Sequence, residues 1–96
     1  MRPNMFYVIS DTHFNHANIV RSGVRPAGYQ ERILTNLEKT LRPYDCLIHL
    51  GDVSWSAKID ERFIKLPCKK ILVRGNHDKQ TYFWYMRHGF DAAVES

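Results

Sequence analysis

Three short hydrophobic runs alternate along the chain with segments of helical periodicity. The runs occupy residues 5–9, 46–50 and 71–73, and they are nearly continuous and rich in β-branched and aromatic side chains. This pattern is typical of strands buried on both faces of a parallel sheet. The sequence therefore predicts three parallel strands, with residues 90–94 as a candidate short fourth strand.

The segments between these runs have the periodicity of helices. In 29–41 the apolar residues fall on one stripe at helical spacing, and the same pattern recurs in 58–66 and in about 79–88. Pro43 and Pro67 end the first two helices, and Gly89 is suited to cap the third. Residues 17–28 are expected to form a loop.

The order of these elements is β-α-β-α-β-α. Strand–helix–strand units of this length connect parallel strands through right-handed crossovers. We therefore expect an α/β fold with a mainly parallel sheet of three or four strands, flanked by helices. The predicted domain is single and spans residues 1–96, either as a short natural form or as part of a longer protein.

Composition excludes several classes of protein. Hydrophobic residues make up 44% and charged residues 25% of the 96-residue chain, as in ordinary globular domains. No apolar run approaches the roughly 18 residues of a membrane span, and no long apolar core of a signal peptide precedes Asp11. Cys46 and Cys68 adjoin apolar runs and are expected to be buried free thiols. These features favour a cytoplasmic protein without a membrane partner.

Polar residues follow each predicted strand where it ends. Asp11 and His13 follow the first strand, Asp52 the second, and the segment 76–78 the third. Because the carboxyl ends of parallel strands meet at one edge of a sheet, where ligands bind, we expect these side chains to converge. Any one of these residues alone would more often be turn material than a ligand, but their joint placement favours a site.

Carboxylate, imidazole and amide groups without a thiolate suit a divalent cation of hard to borderline character. Asp11 and His13 would point the same way from an extension of the first strand and grip one ion. Asp52 would bridge to a second ion, to which Asn76 supplies an oxygen. His77 would then donate a proton to the leaving oxygen. Asp78 would hold the imidazole of His77 in its working tautomer.

The chain contains three motifs in order, Asp11-Thr12-His13, Gly51-Asp52 and Gly75-Asn76-His77-Asp78. They resemble the motifs of the calcineurin-like metallophosphoesterases. The extended first motif, residues 10–19, resembles the small bacterial and phage branch of that superfamily. The resemblance implies that Asp11 and His13 bind the first metal ion, Asp52 bridges, Asn76 binds the second ion and His77 is the catalytic acid. Asp78 matches an acidic position of the third motif. The implied cofactor is one or two divalent ions, with Mn²⁺ preferred over Fe, Zn or Ni.

The resemblance covers only the N-terminal half of the family's αββα sandwich. The family completes its site with a later histidine and a Gly-His-x-His motif, whereas the only histidine after Asp78 in this chain is His88. His88 is better suited to a helix end, where the dipole stabilises a cation, than to metal binding. His16 and His49 are candidates for a supporting role beside the ligands, and His49, inside a strand, fits a buried histidine with satisfied hydrogen bonds.

Two functions follow from these observations. The preferred one is a hydrolase, a metal-dependent phosphoesterase that cleaves a phosphomonoester or phosphodiester with a metal-activated water; nucleic acid is among its candidate substrates. The alternative is a catalytically diminished, shortened relative that acts as a protein-binding or self-associating module. In either case the missing second sheet would leave one face of the first sheet apolar and uncovered. A homo-oligomer or a protein partner is expected to cover that face.

Overall fold

The computed structural model of the chain describes residues 5–16, 20–54, 57–75 and 78–95. Its four strands are β1 (Phe6–Ile9), β2 (Cys46–His49), β3 (Lys69–Arg74) and β4 (Ala92–Glu95). Its helices are α1 (Tyr29–Thr40), α2 (Glu61–Ile64) and α3 (Tyr82–Arg87). In the loop predicted before α1, Val20 and Arg21 are helical instead. Among the described residues, no helix has the length and apolar character that crossing a bilayer requires.

The strands form one sheet in the order β1-β2-β3-β4, and every neighbouring pair is parallel. This confirms the predicted α/β fold, including the fourth strand. Because each strand lies beside its predecessor, right-handed crossovers place the connecting segments on the same face of the sheet. All four strands therefore end at one edge, where the loops that carry the candidate ligands begin.

The two short helices begin later than the hydrophobic periodicity predicts, because side-chain caps set their starts. The Asp60 carboxylate accepts a hydrogen bond from the Arg62 N–H, and α2 starts after Asp60. The Thr81 hydroxyl accepts from the Trp84 N–H, and α3 starts after Thr81. Asp and Thr are preferred at such N-caps because they satisfy backbone donors that the first turn leaves unpaired.

The core lies between the helices and the covered face of the sheet. Leu47, His49 and Leu72 point to this side and are fully buried. Leu34 of α1 and Phe63 of α2 pack against them in the same cluster. The thiol of Cys68 is also buried and that of Cys46 partly so, and both are free, as the sequence predicted. The thin core is thus built on a single face of the sheet.

The opposite face of the sheet is apolar and largely uncovered, and we call it the bare face. Phe6 is 73%, Val8 59% and Val94 48% exposed. The expectation that the strands are buried on both faces is therefore wrong for this chain, because the connecting helices cover one side only. The apolar side chains that share this face by strand register are Phe6, Val8, Cys46, Ile48, Ile71, Val73, Ala92 and Val94, together with the charged Lys69.

Candidate metal centre

Two loops at the carboxyl edge of the sheet are joined by main-chain hydrogen bonds. The loop after β1 donates from the N–H groups of Asp11 and His13 to the carbonyls of Gly51 and Asp52, at 2.9 and 3.1 Å. The N–H of Phe14 continues the pattern to the carbonyl of Val53 at 3.0 Å. Residues about 40 positions apart in the chain are thus held side by side.

The backbone at the candidate ligands lies in the left-handed region. Asp11, His13 and Asp52 have φ angles of 56°, 49° and 57°. This conformation costs a residue other than glycine roughly 1–2 kcal/mol. Such strain persists only where the surroundings enforce it, and it clusters at functional sites. The loop after β1 is therefore no extension of the strand, contrary to the geometry expected for Asp11 and His13.

The side chains of Asp11, His13 and Asp52 nevertheless converge. Each offers a ligand atom, and these atoms all lie within 4.8 Å of one another. The His13 Nε2 atom is 3.8 Å from an Asp11 carboxylate oxygen. Hydrogen bonding with Asp52 and Ser10 lowers the pKa of Asp11, and burial together with the Arg25 charge lowers that of His13. Both shifts favour the unprotonated forms that bind metal ions.

Asp78 lies buried beneath this cluster and joins the loops after β2 and β3. Its carboxylate oxygens accept hydrogen bonds from the N–H groups of Asp52, Val53 and Gly75, at 2.9, 3.0 and 2.7 Å. Asp78 therefore braces the loop that carries Asp52. Its predicted partner His77 lies, with Asn76, outside the described residues, so the roles of both remain predictions.

Comparison with known proteins identifies the family of this chain. A model of the calcineurin-like phosphoesterase family matches residues 5–95. The chain belongs to the calcineurin-like phosphoesterase family. An uncharacterized protein of Methanocaldococcus jannaschii is 37% identical over 87 residues, which cover 82% of this chain and 49% of that relative. A protein of unknown function from Aquifex aeolicus, whose crystal structure is known, is 43% identical in sequence to this chain. The two structures superpose with a TM-score of 0.83, and the match covers 95% of this chain and 52% of the Aquifex aeolicus chain.

Membership confirms the resemblance seen in the sequence. Members of this family are phosphoesterases that use divalent metal ions. The chain spans about half the length of the relatives it matches.

The phosphoesterase motif contains a further residue, Thr12, to which sequence analysis assigned no role. Its hydroxyl donates to the Val53 carbonyl at 2.7 Å and lies 3.0 Å from Nε2 of the buried His49. The Gly51 N–H donates to Nδ1 of His49 at 3.0 Å, so Nε2 carries the imidazole proton and donates to Thr12. His49 thus links both ligand-bearing loops from the core side, and its supporting role at the site stays a prediction.

The remaining histidines differ in their relation to the site. Nδ1 of His16 lies 3.3 Å from Nδ1 of His13, beside the ligand cluster. His88 ends α3, stacks on Trp84 and has its Nδ1 atom 2.7 Å from the Trp84 carbonyl oxygen. His16 therefore adjoins the candidate ligands, whereas His88 has the helix-end role favoured by the sequence.

Arg25 and Tyr29 also contact the site, which the sequence did not predict. Both donate hydrogen bonds to backbone carbonyls of the loop that carries Asp11 and His13. Arg25 lies in the segment predicted as a loop, and Tyr29 is the first residue of α1. Nothing in their local sequence indicates this contact, because an arginine among turn residues is usually solvated.

We expect acid to destabilise the fold through His49. Burial lowers the pKa of His49 from 6.5 to about 4. Between these values the unfolded chain binds more protons than the folded chain, so the free energy of unfolding falls as the pH falls, by up to about 3 kcal/mol. Urea unfolding between pH 7 and 4 measures how the free energy of unfolding changes with pH. His49→Gln removes the titrating group, and an equal change with pH in that variant would contradict the role of His49 in acid destabilisation.

Proposed function

We propose that this chain is a metal-dependent phosphoesterase that hydrolyses a phosphomonoester or a phosphodiester. The observation that carries the proposal is the convergence of Asp11, His13 and Asp52 at the carboxyl edge of a parallel sheet. Ligands bind at that edge in open α/β sheets. Family membership supplies the class of substrate, and phosphodiesters leave nucleic acid among the candidates.

The geometry of the cluster suits a divalent ion. Two ligand atoms that each lie about 2.1 Å from an ion are at most about 4.2 Å apart. Ligand atoms within 4.8 Å of one another can reach this separation by small side-chain rotations. Carboxylate oxygens with one imidazole favour Mn²⁺, while Fe, Zn and Ni also accept such a set. When bound, a divalent ion polarises a phosphoryl oxygen and activates water as the nucleophile.

The chain's own residues then have distinct tasks. Asp11 and His13 would hold the first ion, and Asp52 would contribute a ligand to both the first and a second ion. Asn76 would supply a further ligand to the second ion, and His77 would donate a proton to the leaving oxygen. Asp78 supports this arrangement by fixing the loops after β2 and β3. Cys46 and Cys68 as free thiols support a cytoplasmic location.

The experiment uses the metal-free chain and added Mn²⁺. We expect saturable binding of one or two ions per chain and Mn²⁺-dependent hydrolysis of an aryl phosphodiester or phosphomonoester, which excess chelator abolishes. A chain that binds no Mn²⁺, or whose hydrolysis is unchanged by the chelator, would contradict the proposal. The same assay with Zn²⁺ and Ni²⁺ in place of Mn²⁺ ranks the three metals by the rate of hydrolysis that each supports.

A second candidate function is self-association with diminished catalysis, and the bare face favours it. Contiguous exposed apolar surface marks interaction sites on folded proteins, and a second copy of the chain offers the same apolar surface in return. We expect the solution mass to rise from monomer to dimer with concentration in sedimentation experiments. Val8→Lys places a charge on the bare face and should leave a monomer. Val24→Lys alters a valine that is more exposed than Val8 and lies outside the sheet, and this variant should still dimerise.

Sedimentation and the metal assay on one preparation of protein distinguish the two candidate functions. A chain that is monomeric at every concentration contradicts self-association but does not contradict the phosphoesterase. A dimer with no metal-stimulated hydrolysis contradicts the phosphoesterase instead.

A further inference from the structure

We propose that Arg25 and Tyr29 are positioning residues, which hold the 11–13 backbone in the conformation that lets Asp11 and His13 bind one ion. The inference rests on the proposed metal site and assigns it two supporting residues outside the three motifs. They act through the backbone of the ligands, at the carbonyl groups of residues 11–13.

Three consecutive carbonyl groups of the ligand loop are held by these two side chains. The Arg25 guanidinium donates from Nη1 to the Thr12 carbonyl at 3.1 Å and from Nη2 to the Asp11 carbonyl. The Tyr29 hydroxyl donates to the carbonyl of His13. The guanidinium also lies over the Tyr29 ring, 5.1 Å from its centroid. Each side chain thus supports the placement of the other, as cation–π pairs do.

The ligand loop needs such partners because of its backbone geometry. The N–H groups of Asp11 and His13 bond to the loop after β2. Their positive φ angles carry the chain out of the strand, and backbone carbonyls that leave a ladder require other donors. A strained conformation of this kind persists only when the surrounding structure enforces it. Arg25 and Tyr29 supply that enforcement on the carbonyl side.

Positioning and simple electrostatics predict effects of opposite sign for Arg25. The guanidinium is close enough to interact with the charges of Asp11 and His13. If it acted only as a charge, it would repel a divalent ion, and its removal would strengthen metal binding. If it positions the ligands, its removal weakens metal binding. Tyr29 is neutral, so loss of its hydroxyl weakens binding only through positioning.

The first test measures the Mn²⁺ dissociation constant of Tyr29→Phe and Arg25→Gln. Residues that orient metal ligands typically contribute 10- to 100-fold in affinity, so we expect both variants to bind Mn²⁺ at least about tenfold more weakly. Arg62→Gln is the control, because Arg62 bonds α1 through Glu31 and Glu38, and it should retain the affinity. Tighter binding by Arg25→Gln with unchanged binding by Tyr29→Phe would overturn the proposal.

The second test needs no metal. Amide hydrogen exchange of Asp11, His13 and Phe14 reports how firmly the ligand loop rests on the loop after β2. We expect exchange about tenfold faster at these amides in Tyr29→Phe and Arg25→Gln, with the amides of β3 unchanged. Leu34→Ala weakens the core under α1 and should accelerate both groups of amides alike. Unchanged exchange in the two variants would overturn the proposal.

The two tests distinguish failure of the inference from failure of the proposed function. If the unaltered chain binds no Mn²⁺, the metal site is wrong, and the exchange rates still decide whether Arg25 and Tyr29 hold the loop. If the unaltered chain binds Mn²⁺ and neither variant weakens it, the metal site stands and the positioning role is wrong.

Discussion

Replacement of Asp52 with Asn is expected to lower Mn²⁺-dependent hydrolysis by about 10³-fold or more. Residues that only support metal ligands contribute 10- to 100-fold, and Asp52, as the proposed direct ligand of both ions, should contribute more. Asn retains one oxygen and the size of the side chain but lacks the negative charge. The measurement is the initial rate with an aryl phosphodiester at saturating Mn²⁺, together with the number of ions bound per chain.

The fold should tolerate this change. Asp52 has a φ of 57°, and Asn is among the few residues that adopt this region readily. Its N–H group continues to donate to Asp78 whatever the side chain. We therefore expect the free energy of unfolding without metal to change by less than about 1 kcal/mol.

Asp91→Asn provides the matched control for Asp52→Asn. Asp91 precedes β4, at the opposite end of the strands, and its carboxylate accepts from the Lys70 N–H at 2.8 Å. The Asn side chain can accept the same hydrogen bond, so activity and metal content should remain unchanged. If Asp52→Asn lowers activity no more than Asp91→Asn does, Asp52 is not a ligand.

The strands, the long helix and the meeting of the motifs at one sheet edge were predictable from sequence. Each depends on a strong local pattern: continuous apolar runs for the strands, and a stripe that includes Leu34 and Leu37 for α1. The starts of α2 and α3 carried a signal too, in the capping residues Asp60 and Thr81, which hydrophobic periodicity alone does not register.

The conformation of the ligand residues could not be predicted in this way. Asp11 and His13 adopt positive φ because the loops after β1 and β2 bond to each other, and this tertiary contact overrides local preference. The contact of Arg25 with the carbonyls of the same loop is likewise tertiary. Positive φ angles that tertiary contacts enforce cannot be predicted from the neighbouring residues in the sequence. The motifs therefore predicted where the candidate site lies, but not its backbone geometry.

The bare face shows a second limit of what the sequence can predict. A continuous apolar run such as Phe6–Ile9 indicates that a strand can be buried on both sides, and not that the chain itself covers both. In this chain one side is covered and the other is exposed.

Gly51→Ala is expected to lower the free energy of unfolding by about 2–5 kcal/mol. Gly51 has a φ of 113°, and a Cβ atom there would lie 2.8 Å from the Gly75 nitrogen and 2.9 Å from its Cα atom. The left-handed conformation alone costs alanine roughly 1–2 kcal/mol. Forcing an extra carbon between two backbone segments adds about 1–3 kcal/mol. Urea unfolding at pH 7 measures the sum.

Gly23→Ala separates these two contributions. Gly23 has a φ of 78° with no atom within 4 Å of the added Cβ, so only the conformational cost of about 1–2 kcal/mol applies. Gly51→Ala should also lose Mn²⁺ affinity, because separating Gly51 from Gly75 stretches the hydrogen bonds by which Asp78 fixes the Asp52 loop. Gly23→Ala should keep that affinity. Equal destabilisation in the two variants would show that the approach of Gly51 to Gly75 is not what holds the site together.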